Sequence, residues 1–200
     1  VIELVPANYF APLDLSEIFG RTAPVELDVG CGDGAYLIAL AEAQPERDFL
    51  GLEKLYGRTQ VACRKAMRRG STNVRILRVE SSYALRYLLP PQSVARIHLL
   101  FPDPWPKKRH QRRRIVKDEF LRDVQIALEL EGIFHVATDD ADYFQEITRA
   151  SERSAGFVVA NPCEIGPLPP TTFEKHFRKT GAKIHRLLLR KVSPARNGSA

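Results

Sequence analysis

Asp103 stands in Phe101-Pro102-Asp103-Pro104-Trp105-Pro106-Lys107-Lys108-Arg109-His110, an acid framed by prolines and followed by an indole and a burst of positive charge. Residues 95–101 are nearly continuous apolar sequence and read as a buried strand. Prolines at every second position from Pro102 forbid that strand to continue or to become a helix. A carboxylate on so stiff a backbone can orient a partner or stabilise a developing cation, and Trp105 offers a flat ring beside it. Asp28, Glu53, Glu80 and Asp139 each stand at or just after the end of another strand-like run, so a fold that aligned those ends would gather the acids along one rim.

The elements that must do this alternate. Residues 7–20 form an entry segment with a short helix at 15–19, stopped by Gly20. Strands are expected at 25–29, 49–52, 74–79, 95–101 and 132–137, and helices at 35–42, 56–69, 82–89, 118–130 and from Asp140 to about Ser154. Two last strands, 157–160 and 184–192, are separated by a proline-rich segment, and 193–200 reads as a frayed, disordered tail. This alternation implies an α/β fold, a Rossmann-like, mostly parallel doubly wound sheet with its ligand site at the carboxyl ends of the strands. With no long helix expected between the final strands, an antiparallel last strand is the natural closure. Residues 1–192 are expected to make a single domain.

Between the first of these strands and its helix lies Gly30-Cys31-Gly32-Asp33-Gly34-Ala35. The glycines let the backbone turn sharply and approach a ligand closely. Gly30, Gly32 and Ala35 satisfy G-x-G-x-x-[GA], and Glu53 lies near the position of a ribose-binding acid, so a nicotinamide dinucleotide must be weighed. Its pyrophosphate would meet Asp28 and Asp33 beside the glycines and Glu80 in the next loop, which is electrostatically wrong. A ligand with an amine, a sulfonium and ribose hydroxyls suits these acids better. S-adenosylmethionine has those groups and no phosphate.

Charge points to a second partner. The net charge is +6, and residues 107–117 alone hold seven cations (Lys107, Lys108, Arg109, Arg112, Arg113, Arg114 and Lys117), leaving the rest of the chain at −1. A basic run directly after a presented acid predicts contact with a nucleic-acid backbone beside an active site, through Arg109, Arg112, Arg113 and Arg114. The three cysteines, Cys31, Cys63 and Cys163, lie far apart, and the five histidines show no paired ligand spacing, so neither a disulfide framework nor a metal site is supported. No apolar run approaches the roughly 18–20 residues of a membrane span, and the start lacks a signal pattern, so a cytoplasmic protein is expected.

From about Asn8 to Lys191 the chain resembles the bacterial tRNA (guanine-N(7)-)-methyltransferases of the TrmB type. The resemblance rests on Leu27-Asp28-Val29-Gly30-Cys31-Gly32, Gly51-Leu52-Glu53, Phe101-Pro102-Asp103-Pro104-Trp105 with Lys107, Arg109 and His110, Arg113-Arg114-Ile115-Val116, Ala137-Thr138-Asp139, and Thr171-x-Phe173-Glu174. It implies a class I S-adenosylmethionine-dependent methyltransferase fold and methylation of ring nitrogen 7 of a guanine in the variable loop of tRNA, by a monomer or homodimer. Asp28, Gly30, Gly32, Glu53, Glu80 and Asp103 would then hold the methyl donor, with Asp103 catalytic. Lys107, Asp139, Thr171, Thr172, Phe173 and Glu174 would contact the substrate. The chain departs from the family pattern at Asp28, where Glu is usual, and at Val79-Glu80-Ser81, in place of a G-D-A-like triplet. Both changes keep the charge and alter its reach by one methylene.

Two other readings stay open. One is an S-adenosylmethionine-dependent amino methyltransferase acting on another RNA, DNA or protein, because D/N-P-P-Y/F motifs occupy the same strand end; here Trp105 stands in place of the second proline. The other is a non-catalytic RNA-binding module on a Rossmann-like scaffold.

Overall fold

The computed structural model describes residues 1–193, so the expected tail, apart from Ser193, lies outside the described residues. The first half builds β1 (Glu3–Leu4), α1 (Leu15–Phe19), β2 (Val25–Val29), α2 (Ala35–Ala43), β3 (Asp48–Leu52), α3 (Tyr56–Arg68) and β4 (Val74–Leu77). Then come α4 (Ser81–Tyr83), which runs on into a π-helical turn at Ala84–Leu88, and β5 (Val94–Leu100). After a 3₁₀ turn at Lys108–Arg113 follow α5 (Asp118–Ala127), β6 (Leu128–Thr138), α6 (Ala141–Arg153), β7 (Phe157–Val159), α7 (Thr172–Thr180) and β8 (His185–Lys191).

The boundaries follow local chemistry. Asp14 caps α1 by accepting from the Glu17 amide at 3.0 Å, and Gly20 ends it in the left-handed conformation. Asp140 caps α6 by accepting from the Tyr143 amide at 2.7 Å. The helix expected at 118–130 stops at Ala127 instead: Leu128 already pairs with Val94 across a register shift, and the chain passes through a left-handed Glu131 (φ 64°). The strand expected at 74–79 ends at Leu77, although the Val79 amide still reaches the Glu53 carbonyl at 3.2 Å. The proline-rich segment after β7 contains α7, which the sequence reading treats as connection.

The eight strands form one sheet in the order β1-β4-β3-β2-β5-β6-β8-β7, parallel from β1 to β6. β8 is inserted between β6 and β7 and runs antiparallel to both. The order reverses direction between β2 and β5, the switch point at which the loops leaving two adjacent strands diverge and open a crevice. Apolar residues cover both faces of the sheet. One core gathers Leu13 and Leu15 of the entry segment with Leu27, Leu85, Leu121, Phe134 and Ile147; the other packs Leu37, Leu40, Ala62 and Ala66 of α2 and α3 against Phe49 and Ile76.

Candidate functional site

The loop after β2 carries Gly30 and Gly32 in the left-handed region, φ 76° and 58°. A side chain at either position would be strained, and nothing lies within 4 Å of where its Cβ would stand. The amides of Gly30 and Cys31 both donate to the Leu52 carbonyl at 2.9 Å, which ties this loop to the end of β3. There Glu53, 5% exposed, accepts from the Gly32 amide at 3.1 Å and the Leu55 amide at 2.8 Å. Its carboxylate is therefore fixed by backbone while keeping acceptor capacity. Glu80, exposed after β4, caps α4 by accepting from the Tyr83 amide at 2.9 Å.

Asp28 lies deeper. It is 4% exposed, and burial, reinforced by the charge of Glu53, pushes its carboxyl up to about 7. Asp33 is engaged by Lys65 at 2.6 Å; burial works to raise its carboxyl, and the lysine with the Ala35 amide outweighs it and holds it below the usual range.

β5 delivers Asp103. The Phe101 amide donates to the Ala137 carbonyl at 2.7 Å, and the chain then turns through two bulky residues with positive φ, Phe101 at 52° and Trp105 at 45°. Such conformations are costly for aromatic side chains and persist only where surroundings impose them. Asp103 is exposed, and Trp105 is half-buried, with the Arg113 guanidinium 4.9 Å from its ring and His110 edge-on at 5.9 Å.

Arg114 does not belong to the exposed basic surface expected of it. It is 3% exposed, donates to the Pro104 carbonyl at 2.8 Å, pairs with Glu146 of α6, and lies 4.7 Å from the Tyr143 ring. Its charge is engaged inside the fold, where it holds the proline loop against α6, although the residue also reaches the wall of the cleft that these loops enclose. Arg109, Arg112 and Arg113 are exposed.

These elements enclose a cleft of about 870 Å³ that Gly30, Glu53, Glu80, Asp103, Trp105, Arg112 and Arg113 all line. Lys54 just before α3, Arg58 in its first turn, Tyr83 at the end of α4, and Arg86 and Tyr87 from the π-helical turn line it too, though no sequence motif marks them. Asp28, Gly32, Lys107, Arg109, Asp139 and residues 171–174 are not on its wall. Asp139 is exposed at the end of β6, beside β5, where Ala137 pairs with Leu100. Thr171 is 8% exposed and caps α7, its hydroxyl accepting from the Glu174 amide at 2.9 Å, and Glu174 pairs with Arg186 at 2.7 Å. Thr172 and Phe173 are exposed, and the Phe173 ring lies 6.0 Å from that of Phe101. Asp139 and α7 thus stand on the β6 side of the Asp103 loop, opposite Glu53 and Glu80.

A buried polar network lies under the sheet's carboxyl end. His98 meets Glu26 at 3.0 Å through Nε2, and through Nδ1 it meets His135 at 3.2 Å and the Tyr36 hydroxyl at 3.3 Å. Burial works to raise the Glu26 carboxyl, but the His98 bond with Arg96 and Arg47 overcomes it and holds the group below the usual carboxylate range. Burial pushes His135 down to about 2, so it is neutral. The signal for this network was present as polar residues at period two, Glu26 and Asp28 in one apolar strand and Arg96 and His98 in another.

Comparison with known proteins agrees with this geometry. The family model described as "Putative methyltransferase" matches residues 22–187. A tRNA (guanine-N(7)-)-methyltransferase of Thermotoga maritima is 38% identical over 192 residues, 95% of this chain and 61% of that protein. One from Shewanella woodyi is 38% identical over 176 residues, 88% of this chain and 73% of that protein. The chain thus spans less than two thirds of the Thermotoga relative's length and about three quarters of the Shewanella one. Among solved structures, an S-adenosylmethionine-dependent methyltransferase from Aquifex aeolicus superimposes with a TM-score of 0.59 at 17% identity, covering 88% of this chain and 87% of that one. An rRNA methylase from Streptococcus thermophilus gives 0.57 at 12% identity, covering 86% and 88%. The fold is that of the class I S-adenosylmethionine-dependent methyltransferases, mostly parallel with an antiparallel strand late in the chain, and by the extent of these matches the chain belongs to the tRNA (guanine-N(7)-)-methyltransferase family.

Proposed function

We propose that this chain transfers a methyl group from S-adenosylmethionine to ring nitrogen 7 of a guanine in the variable loop of tRNA, forming 7-methylguanosine. The observation that carries the reading is the acid-lined cleft at the β2/β5 switch point, with Asp103 on a strained, proline-framed loop and the exposed Arg112 and Arg113 on the same wall.

The residues fit the methyl donor. Gly30 and Gly32 leave open space where side chains would stand, and Glu53, held by two backbone amides, keeps acceptors for ribose hydroxyls. Glu53 and Glu80 on the wall supply negative character suited to an amine and a sulfonium, and Asp28 lies behind them with its carboxyl raised to about 7. When bound, S-adenosylmethionine supplies an electrophilic methyl on positively charged sulfur.

The acceptor nitrogen carries an in-plane lone pair and no proton, so the chain needs no general base and its work is alignment. Asp103 orients the purine and stabilises the positive charge that appears on it. Asp139 and α7, through Thr171, Thr172, Phe173 and Glu174, form the guanine side of the site, and Lys107 holds the adjoining nucleotide. In an RNA helix this edge of guanine faces a deep, narrow groove, so the target base lies in a loop or is drawn out of its stack, with Trp105 as a flat surface to receive it. Arg109, Arg112 and Arg113 take backbone phosphates.

The test is incubation with bulk tRNA and labelled donor, followed by digestion to nucleosides. The expected product is 7-methylguanosine. Label on an exocyclic amine would support the amino-methyltransferase reading instead, and tight tRNA binding without transfer would support a binding module.

A further inference from the structure

Outside residues 107–117 the chain sums to −1, but that sum conceals how its charges are segregated in space. Helix α3 contains Arg58, Arg64, Lys65 and Arg68 and no acidic residue. Its buried face is Thr59, Ala62, Cys63 and Ala66, which leaves the arginines on the exposed arc. Lys65 is engaged by Asp33 at 2.6 Å, and Arg69, just past the helix, by Glu42 at 3.5 Å. Among the described residues no carboxylate pairs with Arg58, Arg64 or Arg68.

The helix gains little from this pattern. Arg58 sits in the first turn, where the aligned peptide dipoles disfavour a cation, and Arg64 and Arg68 are like charges one turn apart. The placement matters in the same way. Lys54 and Arg58 line the cleft from the α3 side and Arg112 and Arg113 line it from the 3₁₀ turn, and Glu53, Glu80 and Asp103 line the same cleft.

We propose that the exposed face of α3 is a second phosphate-contacting surface, so that the RNA is gripped from both lips of the cleft. The inference rests on the tRNA reading given above and extends it. Cations outside and acids inside sort the substrate by charge: phosphates are held on the lips, and the uncharged base is admitted to the floor. A continuous polyanion that bridges a concavity fits this layout.

The experiment measures tRNA dissociation constants from 50 to 300 mM salt for three proteins: wild type, Arg58→Gln/Arg64→Gln/Arg68→Gln, and Arg109→Gln/Arg112→Gln/Arg113→Gln. Each phosphate contact removed lowers the log–log salt slope by roughly 0.7 to 0.9, so the α3 variant should lose about 1 to 3 in slope. The charge-preserving Arg58→Lys/Arg64→Lys/Arg68→Lys protein should keep the wild-type slope, which a merely structural role of the arginines would not predict. Far-UV circular dichroism of each variant verifies the fold. An unchanged slope in the α3 variant, with a reduced one in the turn variant, would overturn the second surface and leave the tRNA reading standing. Unchanged slopes in both would overturn the tRNA reading itself. Anionic vesicles of phosphatidylserine and phosphatidylcholine serve as the competing polyanion, and vesicle binding lost in the α3 variant while tRNA affinity is kept would assign the face to a membrane.

Discussion

At the scale of single residues, Asp103 and Arg114 show how one short segment divides its labour. Asp103 lines the cleft as an exposed carboxylate, whereas Arg114, eleven positions on and lining the same cleft, is 3% exposed and directs its guanidinium to Pro104, Glu146 and the Tyr143 ring. Asp103→Asn keeps the shape and removes the charge. An anion that strengthens its hold as the purine becomes cationic acts in the transition state, so single-turnover methyl transfer should slow by about 10²-fold while tRNA affinity stays within about twofold. A near-normal rate in this variant, beside a rate lost in a histidine or lysine variant, would move the catalytic assignment elsewhere. Arg114→Met retains the aliphatic stem and leaves the Pro104 carbonyl without its donor, which should destabilise the protein by about 1–3 kcal/mol in denaturant unfolding. Its tRNA salt slope should match the wild type, in contrast to Arg112 and Arg113. A slope reduced by Arg114→Met would return that residue to the phosphate surface.

Elements were legible in the sequence to the degree that their signals were local. Gly20 and Asp140 mark helix ends through caps that involve only near neighbours, and each stands where the sequence places it. The end of α5 was set by a distant partner: Leu128 leaves the helical pattern to pair with Val94, and apolar spacing along one segment carries no trace of that bond. α7 is hidden by the prolines before it, and its start signal is Thr171 accepting from the Glu174 amide, within the same four residues that the family resemblance assigns to substrate contact. At the site, the glycine loop and the Asp103 loop could be found because strained turns need particular residues. The contribution of α3 and of the π-helical turn to the cleft depends on how three strands splay, which only the folded sheet decides. The burial of Arg114 was equally illegible, since a run of arginines looks the same whether one of them faces α6 or solvent.

For the whole molecule, two buried acids with opposite shifts shape the response to pH. An unfolded aspartate titrates near 3.9, and folded Asp28 at about 7, so between those values the folded state holds the extra proton and stability falls as pH rises, by up to about 1.4 kcal/mol per unit. Glu26 is held below its ordinary range, so its contribution is present above about pH 4.3 and is lost as pH falls through the folded value. Together they favour a stability maximum on the acidic side of neutrality. Asp28→Asn should flatten the decline between about pH 4 and 7, measured by denaturant unfolding across that range. An unaltered profile in the variant would show that Asp28 ionises in the folded protein as it does in the unfolded chain.

The place of β8 in the sheet governs the order in which the molecule can be completed. Among the described residues it is the last strand in sequence and yet an interior one, hydrogen-bonded to β6 on one side and β7 on the other. During synthesis, then, the strands from β1 to β6 can pair as they emerge, but β6 keeps an open edge until Lys191 has left the ribosome, seconds later at about 5–20 residues per second. The part of the cleft built from β2 to β5 is assembled in that interval, whereas α7 arrives only with the strand that closes the sheet. A nascent chain therefore passes through a stage in which it has the β2–β5 part of the cleft, an unsealed strand edge and no α7.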